Sequence, residues 1–238
     1  MDYRTMYDEV GPIARRQQPP YQSRPLPPVR RPVGRRIFLG MMGAGAAGLL
    51  VGRGVGAAFN PAAIFLPSSG FRIYTVAPIP DFQPATYRLA IGGQVANPQS
   101  LSYHQLLALP HLRATHTYHC VTGWSVDNVH WEGVPLRHVV DLARPANSAR
   151  FLNFWSADGA YTESITVEQA LATDVMLGYR LNGKPLSKDQ GAPLRLVIPQ
   201  MYGYKYIKWV NRVEFAAEPL QGYWEARGYA TDAYLGRS

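Results

Sequence analysis

Leu112-Arg113-Ala114-Thr115-His116-Thr117-Tyr118-His119-Cys120-Val121-Thr122-Gly123-Trp124 is a β-prone run that delivers the only cysteine of the chain near its end. A single thiol excludes an intramolecular disulfide, a four-thiolate zinc site and an iron–sulfur cluster. On both sides of this run the sequence alternates short strands with short helices. Tyr87, Leu89 and Ile91 alternate with polar or small residues and predict a half-buried strand ending at Gly92-Gly93. Leu101 to Leu109 reads as a short helix stopped by Pro110, and Pro135 to Leu142 as a helix with proline in its first turn. Arg150 to Trp155, Val175 to Leu181, Leu194 to Ile198 and Trp209 to Phe215 read as strands, with Asn182-Gly183 as a hairpin turn. Thr166-Val167-Glu168-Gln169 is a capping box that opens a helix through Ala172. Many strands, scattered short helices and no long βαβ period predict an α+β fold with a mixed sheet, not a doubly wound one.

The 238 residues suit one domain with an appendage or two small domains, and 47% hydrophobic against 17% charged residues marks a globular chain. Aromatics at 12% suggest lined pockets or aromatic-rich packing. The net charge of +8 is carried mainly by residues 1–60, where nine arginines face Asp2, Asp8 and Glu9. A nucleic-acid-binding domain keeps its basic excess on the folded part, so nucleic acid is not an expected partner.

Residues 1–36 form a basic, proline- and arginine-rich region expected to be disordered or extended, with seven prolines between Pro12 and Pro32. Residues 37–66 are expected to be an apolar export signal or anchor. The pair Arg35-Arg36 followed by Ile37-Phe38-Leu39 resembles the twin-arginine signal for exporting proteins already folded around a cofactor. The bland alternative is an arginine pair beside a short anchor, with membrane association through residues 37–52. That run is short of the roughly 20 apolar residues a span needs, and Arg53 interrupts it. Gly43-Ala44-Gly45-Ala46-Ala47-Gly48 matches GxGxxG formally but lacks the preceding strand and the later acidic residue that a dinucleotide site requires.

Residues 71–230 form the expected catalytic domain, and three features in it bear on chemistry. Cys120 is a candidate nucleophile or soft-metal ligand, or else an inert buried thiol. All six histidines lie between His104 and His138, with His116 and His119 flanking the thiol, yet no ligand quartet can be assembled from them. All four lysines, Lys184, Lys188, Lys205 and Lys208, lie in one stretch with Arg195, which suits a compact anion such as a phosphate monoester or, alternatively, a solvated basic face. A Walker loop is absent.

The segments His119-Cys120-Val121-Thr122-Gly123-Trp124-Ser125-Val126, Trp131-Glu132-Gly133-Val134-Pro135-Leu136, Ser156-Ala157-Asp158-Gly159-Ala160-Tyr161, Gly191-Ala192-Pro193-Leu194-Arg195-Leu196-Val197-Ile198-Pro199 and Tyr202-Gly203-Tyr204-Lys205, with Lys208-Trp209-Val210, occur in order. The closing Gly222-Tyr223-Trp224-Glu225-Ala226-Arg227-Gly228-Tyr229 follows them. Together they resemble the sulfite-oxidase-like molybdenum enzymes, which carry one molybdopterin and a cysteine ligand to the metal, from about Phe71 to Tyr229. The resemblance implies the mixed-sheet molybdopterin-binding fold of that family and Cys120 as the thiolate on molybdenum. It places Ser156, Gln190 and Arg195 against the pterin or its phosphate, and Lys205, Tyr206, Ile207 and Lys208 in the segment that wraps the phosphate end. His119, Asp158 and Tyr202 would line the metal pocket with catalytic roles.

The implied reaction is two-electron oxygen-atom transfer at a cysteine-ligated molybdenum oxo centre, on an S- or N-oxide or a sulfite-like small molecule. The chain departs from sulfite oxidases proper. Val121-Thr122-Gly123-Trp124 stands where they carry an arginine for the anionic substrate, and a chain ending at Ser238 is expected to lack their dimerisation domain. It looks closer to the exported branch that includes the periplasmic methionine-sulfoxide reductase subunit, which implies a periplasmic or extracytoplasmic location. With no haem or iron–sulfur motif, electrons would pass to a separate partner protein, for which a membrane cytochrome is suited. Two alternatives stand beside this reading: a nucleophilic hydrolase using Cys120 and His119, and an exported non-catalytic module of the same fold. Neighbours on a strand face opposite ways, which weakens the Cys120/His119 pair.

Overall fold

The computed structural model describes residues 70–236. The expectations for the leader, including residues 1–36, 37–66 and Arg35-Arg36, lie outside the described residues. Ten strands and three short helices follow one another from Arg88. They are β1 (Arg88–Gly93), β2 (Gln99–Ser102), α1 (Tyr103–Ala108), β3 (Leu112–His119), β4 (Ser125–Pro135), α2 (Leu136–Ala143) and β5 (Phe151–Ser156). Then come β6 (Thr162–Thr166), α3 (Val167–Ala170), β7 (Met176–Leu181), β8 (Lys184–Pro185), β9 (Arg195–Val197) and β10 (Val210–Ala216). The fold is α+β, as the alternation of short elements predicted.

The strands build two sheets rather than one. The first has the order β2-β1-β10-β5-β6, and the second runs β3-β4-β7-β8 with β9 also paired to β7. Only β1 and β10 pair in parallel, Ile91 opposite Val213; every other pairing is antiparallel. β1 alternates as its sequence does, with Leu89 and Ile91 buried between exposed Arg88 and Ala90. The helix α2 buries Leu136, Val139, Val140 and Ala143, the spacing of one helical face, and ends where Arg144 turns into the left-handed region at φ 54°. Pro135 precedes this helix as the last residue of β4 instead of sitting in its first turn. Capping boxes form at Ser102 with Gln105 and at Thr166 with Gln169.

Leu89, Phe154 and Phe215 of the first sheet share one apolar cluster with Trp131, Leu177 and Leu196 of the second. Residues 199–209 cross between the sheets, from β9 of the second to β10 at the centre of the first. This strap contains a 3-10 turn at Gly203–Lys205 and is tied on both sides. The Leu196 amide donates to the Ile207 carbonyl at 2.9 Å, and the Ala157 amide donates to the Trp209 carbonyl at 2.8 Å. No helix among the described residues is long and apolar enough to cross a membrane.

Candidate functional site

A cavity opens where the end of β3, the β5–β6 turn, the approach to β9 and the strap come together. Its walls include Cys120 and Thr122, Asp158 and Tyr161, Gln190 and Arg195, and Tyr204, Tyr206, Ile207 and Lys208. Cys120 follows the last residue of β3, and a tight turn fixes it there. The Cys120 amide donates to the Trp124 carbonyl at 2.9 Å, and the Gly123 amide donates back to the Cys120 carbonyl at 3.0 Å. Gly123 sits at φ 93°, a left-handed conformation that glycine adopts without the Cβ penalty. The thiol is half-buried, with Sγ 3.2 Å from the Thr122 hydroxyl. Burial pushes its pKa up, against the pull of the Thr122 hydrogen bonds and the positive charge of Arg72. In that setting the thiol stays protonated unless a cation takes the place of its proton.

Beneath the thiol, Tyr118 is buried among aromatic rings. Its centroid lies 5.2 Å from Phe71, 5.3 Å from Tyr206 and 5.5 Å from Trp124. The strap passes so close that a Cβ on Gly203 would stand 1.9 Å from the Tyr118 hydroxyl oxygen. Glycine is required at 203 by space and not by backbone conformation.

Two cations also line the cavity. Arg195, the first residue of β9, is 6% exposed; it donates from Nη1 to the Gln190 carbonyl at 3.0 Å and from Nη2 to the Tyr206 carbonyl at 3.3 Å. Its guanidinium lies over the Trp131 and Tyr206 rings. Its buried Nε has no partner. Lys208 donates from Nζ to the Tyr74 carbonyl at 2.8 Å and the Asp189 carbonyl at 3.1 Å, above the Trp209 ring. Burial first, and then the charge of Arg195, lower its pKa to about 7. Among the described residues neither cation is in an ion pair. The third polar feature is Asp158. One carboxylate oxygen accepts from the amides of Ala160 and Tyr161 at 3.0 Å each, while Oδ2 is buried without a partner.

Of the residues singled out in the sequence, Cys120, Asp158, Gln190, Arg195, Tyr206, Ile207 and Lys208 come together on this cavity, and His119, Ser156, Tyr202 and Lys205 are not among its lining residues. Cys120 and His119, the pair a hydrolase would need, do not share the cavity wall. Ser156 is buried at the end of β5 and supports the turn, its hydroxyl accepting from the Asp158 amide at 3.3 Å. Lys205 is turned away from the anion wall into a pair of carboxylates, Glu163 and Glu225. Of the other lysines, Lys188 pairs with Asp81 on the surface and Lys184 is exposed. The segment Phe71–Val76, Tyr118, Tyr161, Trp224 and Tyr229 also line the cavity. Tyr161, Trp224 and Tyr229 lie in segments that carry the family resemblance, without a site role attached to them, and for Tyr118 the aromatic content is the one signal in the sequence.

The model of the oxidoreductase molybdopterin binding domain family matches residues 76–224, which is well over half of the sequence. The chain belongs to this family. It is similar to the uncharacterized oxidoreductase YuiH of Bacillus subtilis, 32% identical over 68% of this chain and 82% of that protein. It is similar to the protein-methionine-sulfoxide reductase catalytic subunit MsrP of Campylobacter jejuni, 29% identical over 65% of this chain and 56% of the relative. Sulfite oxidase of Arabidopsis thaliana is 30% identical over 60% of this chain and 45% of its own length. The chain thus spans about half the length of the last two. Among solved structures, the sulfane dehydrogenase SoxCD of Paracoccus pantotrophus matches with a TM-score of 0.55 and 27% identity, over 59% of this chain and 40% of that one.

A molybdopterin-binding oxidoreductase of the sulfite-oxidase type has to accommodate a phosphate, a pterin ring with N–H donors, and a metal held by dithiolene sulfurs. The cavity residues fit all three. Two cations without carboxylate partners, one with a free Nε–H, suit the phosphate. The unpartnered Asp158 oxygen suits an N–H donor, and the thiol in the same cavity suits a soft, high-valent metal.

Proposed function

We propose that this domain carries out two-electron oxygen-atom transfer, with Cys120 as the protein thiolate on molybdenum and a small S-oxide, N-oxide or sulfite-like molecule as substrate. The observation that carries this reading is the placement of the lone thiol and of two carboxylate-free cations on the lining of one cavity. Arg195 and Lys208 would receive the phosphate of molybdopterin. Gln190, Tyr206 and Ile207 would flank it, and Asp158 would accept from the pterin. The cofactor supplies a metal that cycles between two oxidation states while an oxygen atom is gained or lost.

The chain's own residues contribute binding and exclusion of water. Arg195 is held by two carbonyls and two aromatic faces, so its charge is fixed before any ligand arrives and costs little further ordering. The Cys120–Trp124 turn sets the thiol direction through its two backbone hydrogen bonds. The aromatic rings of Tyr118, Trp224 and Tyr229 line the same cavity as the thiol and limit water there.

Protein produced in a molybdopterin-competent host should contain about one molybdenum per chain, and Cys120→Ser should lose most of it. Wild-type protein free of molybdenum after such expression would overturn the assignment. A screen of sulfoxides, N-oxides and sulfite, with reduced and oxidised dyes, then selects the substrate and direction. For the leader we propose twin-arginine export through Arg35-Arg36 to a periplasmic or other extracytoplasmic site, and a separate electron partner such as a membrane cytochrome. Replacing both arginines by lysine should leave precursor in the cytoplasm, and unchanged export would refute that route.

A further inference from the structure

Behind the Tyr161 and Tyr204 wall of the cavity lies a buried charge cluster that the proposed reaction leaves unused. Lys205, at the end of the 3-10 turn of the strap, directs its ammonium to a Glu163 carboxylate oxygen, to Glu225 Oε1 at 2.8 Å and to the Ser164 carbonyl at 3.0 Å. Glu163 belongs to β6 and Glu225 to the C-terminal segment, so one side chain of the strap joins two distant parts of the chain. The three side chains are 1%, 1% and 7% exposed for Lys205, Glu163 and Glu225. Glu163 Oε2 and Glu225 Oε2 are buried with no donor. Gly222 leaves no room between the carboxylates: a Cβ there would lie 2.0 Å from Glu225 Oε2 and 3.2 Å from Glu163 Oε1.

Two carboxylates and one ammonium leave one negative charge uncompensated in the interior. The groups that face the pair add no positive charge. Tyr161 and Tyr204 are spent as donors to the carbonyls of Tyr204 and Ala230, and burial first, then the carboxylates, raise both phenols so that they stay neutral. On Tyr204 the Asp232 carboxylate acts in the same direction. A buried net charge is far costlier than uptake of a proton, and two oxygens without donors are the place for one.

We propose that Glu163 keeps its proton at neutral pH, and that the neutral cluster so formed with Lys205 and Glu225 is the pin that positions the cofactor-binding strap. The second half of this statement rests on the cofactor reading above, since the strap carries Tyr206, Ile207 and Lys208. In support, burial pushes Glu163 up to about 8, with the Glu225 charge adding to it and Lys205 opposing it. Its ordinary value is 4.5, so the folded chain holds a proton that the unfolded chain releases between those limits. Stability from this cluster is therefore complete below the ordinary carboxyl range and is lost as pH rises toward about 8.

The test compares the full chain with Glu163→Gln and Glu225→Gln, each of which leaves one carboxylate for Lys205 and so removes the need for a buried proton. Within the window, the wild-type folding constant should fall relative to either variant by up to about tenfold per pH unit. This is read by denaturant unfolding on cofactor-free protein, and parallel slopes in all three would overturn the buried proton. Should a variant fail to fold, the wild type alone still decides. A carboxylic-acid C=O infrared band present at pH 7 and gone at pH 9 supports the proposal, and its absence at pH 7 refutes it. For the pin, molybdenum retained on dialysis should fall severalfold further in wild type than in the glutamine variants from pH 7 to pH 9, Lys208 being common to all three. Equal pH dependence would overturn the positioning role. If no chain binds molybdenum at all, the cofactor reading fails, while the unfolding slopes still judge the proton.

Discussion

Lys208→Met separates what the anion wall costs from what it does. The methionine keeps an unbranched apolar stem over the Trp209 ring and removes the ammonium. In the cofactor-free protein that ammonium is buried beside Arg195, and its pKa falls from 10.5 to about 7. Each unit of such a difference is worth about 1.4 kcal/mol, and the partial opening of the side chain to the cavity reduces the total to about 3 kcal/mol. The Tyr74 and Asp189 carbonyls lose a donor in the variant, which returns about 1 kcal/mol. The net is a cofactor-free variant about 2 kcal/mol more stable than wild type at pH 6. The sign follows from proton counting. Below about 7 both folded and unfolded lysine are charged and the full burial cost applies. Between about 7 and 10.5 the unfolded chain binds the extra proton, so wild-type stability rises with pH and the gap to the variant closes. Urea unfolding from pH 6 to pH 10 measures it, and metal analysis of protein from a molybdopterin-competent host should find most molybdenum gone. A variant no more stable than wild type at pH 6, with the same pH slope, would refute the buried-cation argument. Full molybdenum content would refute the phosphate assignment.

Gly203→Ala forces a methyl group into the Tyr118 ring, and overpacking of this kind should cost about 3 kcal/mol in unfolding experiments, with molybdenum content lowered as well. Arg195→Lys loses the fork to the Gln190 and Tyr206 carbonyls and the stacking on Trp131, so molybdenum content should drop severalfold although the charge is kept. Thr166→Ala removes the cap of α3 far from the cavity, and should cost about 1 kcal/mol in urea unfolding while molybdenum content stays at the wild-type level.

The strands with alternating apolar residues, β1 above all, could be read directly, and so could the turns and caps whose residues act locally. Four strands could not. Of these, β2 and β8 are four and two residues long, too short to show an alternation. The first half of β4 is mostly exposed, with Ser125, Asp127 and Asn128 outward, so its sequence does not resemble a strand of a core. β6 does not alternate, burying Glu163 and Ser164 beside Ile165, because its carboxylate meets a lysine 42 residues away. The same cause misplaced Lys205. Four lysines close in sequence looked like one anion site, but which side of the strap each one faces depends on partners in β6 and the C-terminal segment. Arg195, Gln190, Tyr206 and Lys208 were placed by family resemblance, not by periodicity. The Phe71–Val76 segment bore no pattern that would bring it to the cavity.

The strap is stitched to both sheets and leads straight into β10, the middle strand of its sheet. A segment fastened that way has no hinge at which to swing. The strap itself moves only when strand pairing in the centre of the sheet gives way, an event on the timescale of local unfolding and not of loop motion. The wall that it gives to the cavity should therefore outlast the fraying of the edge strands and fail with β10.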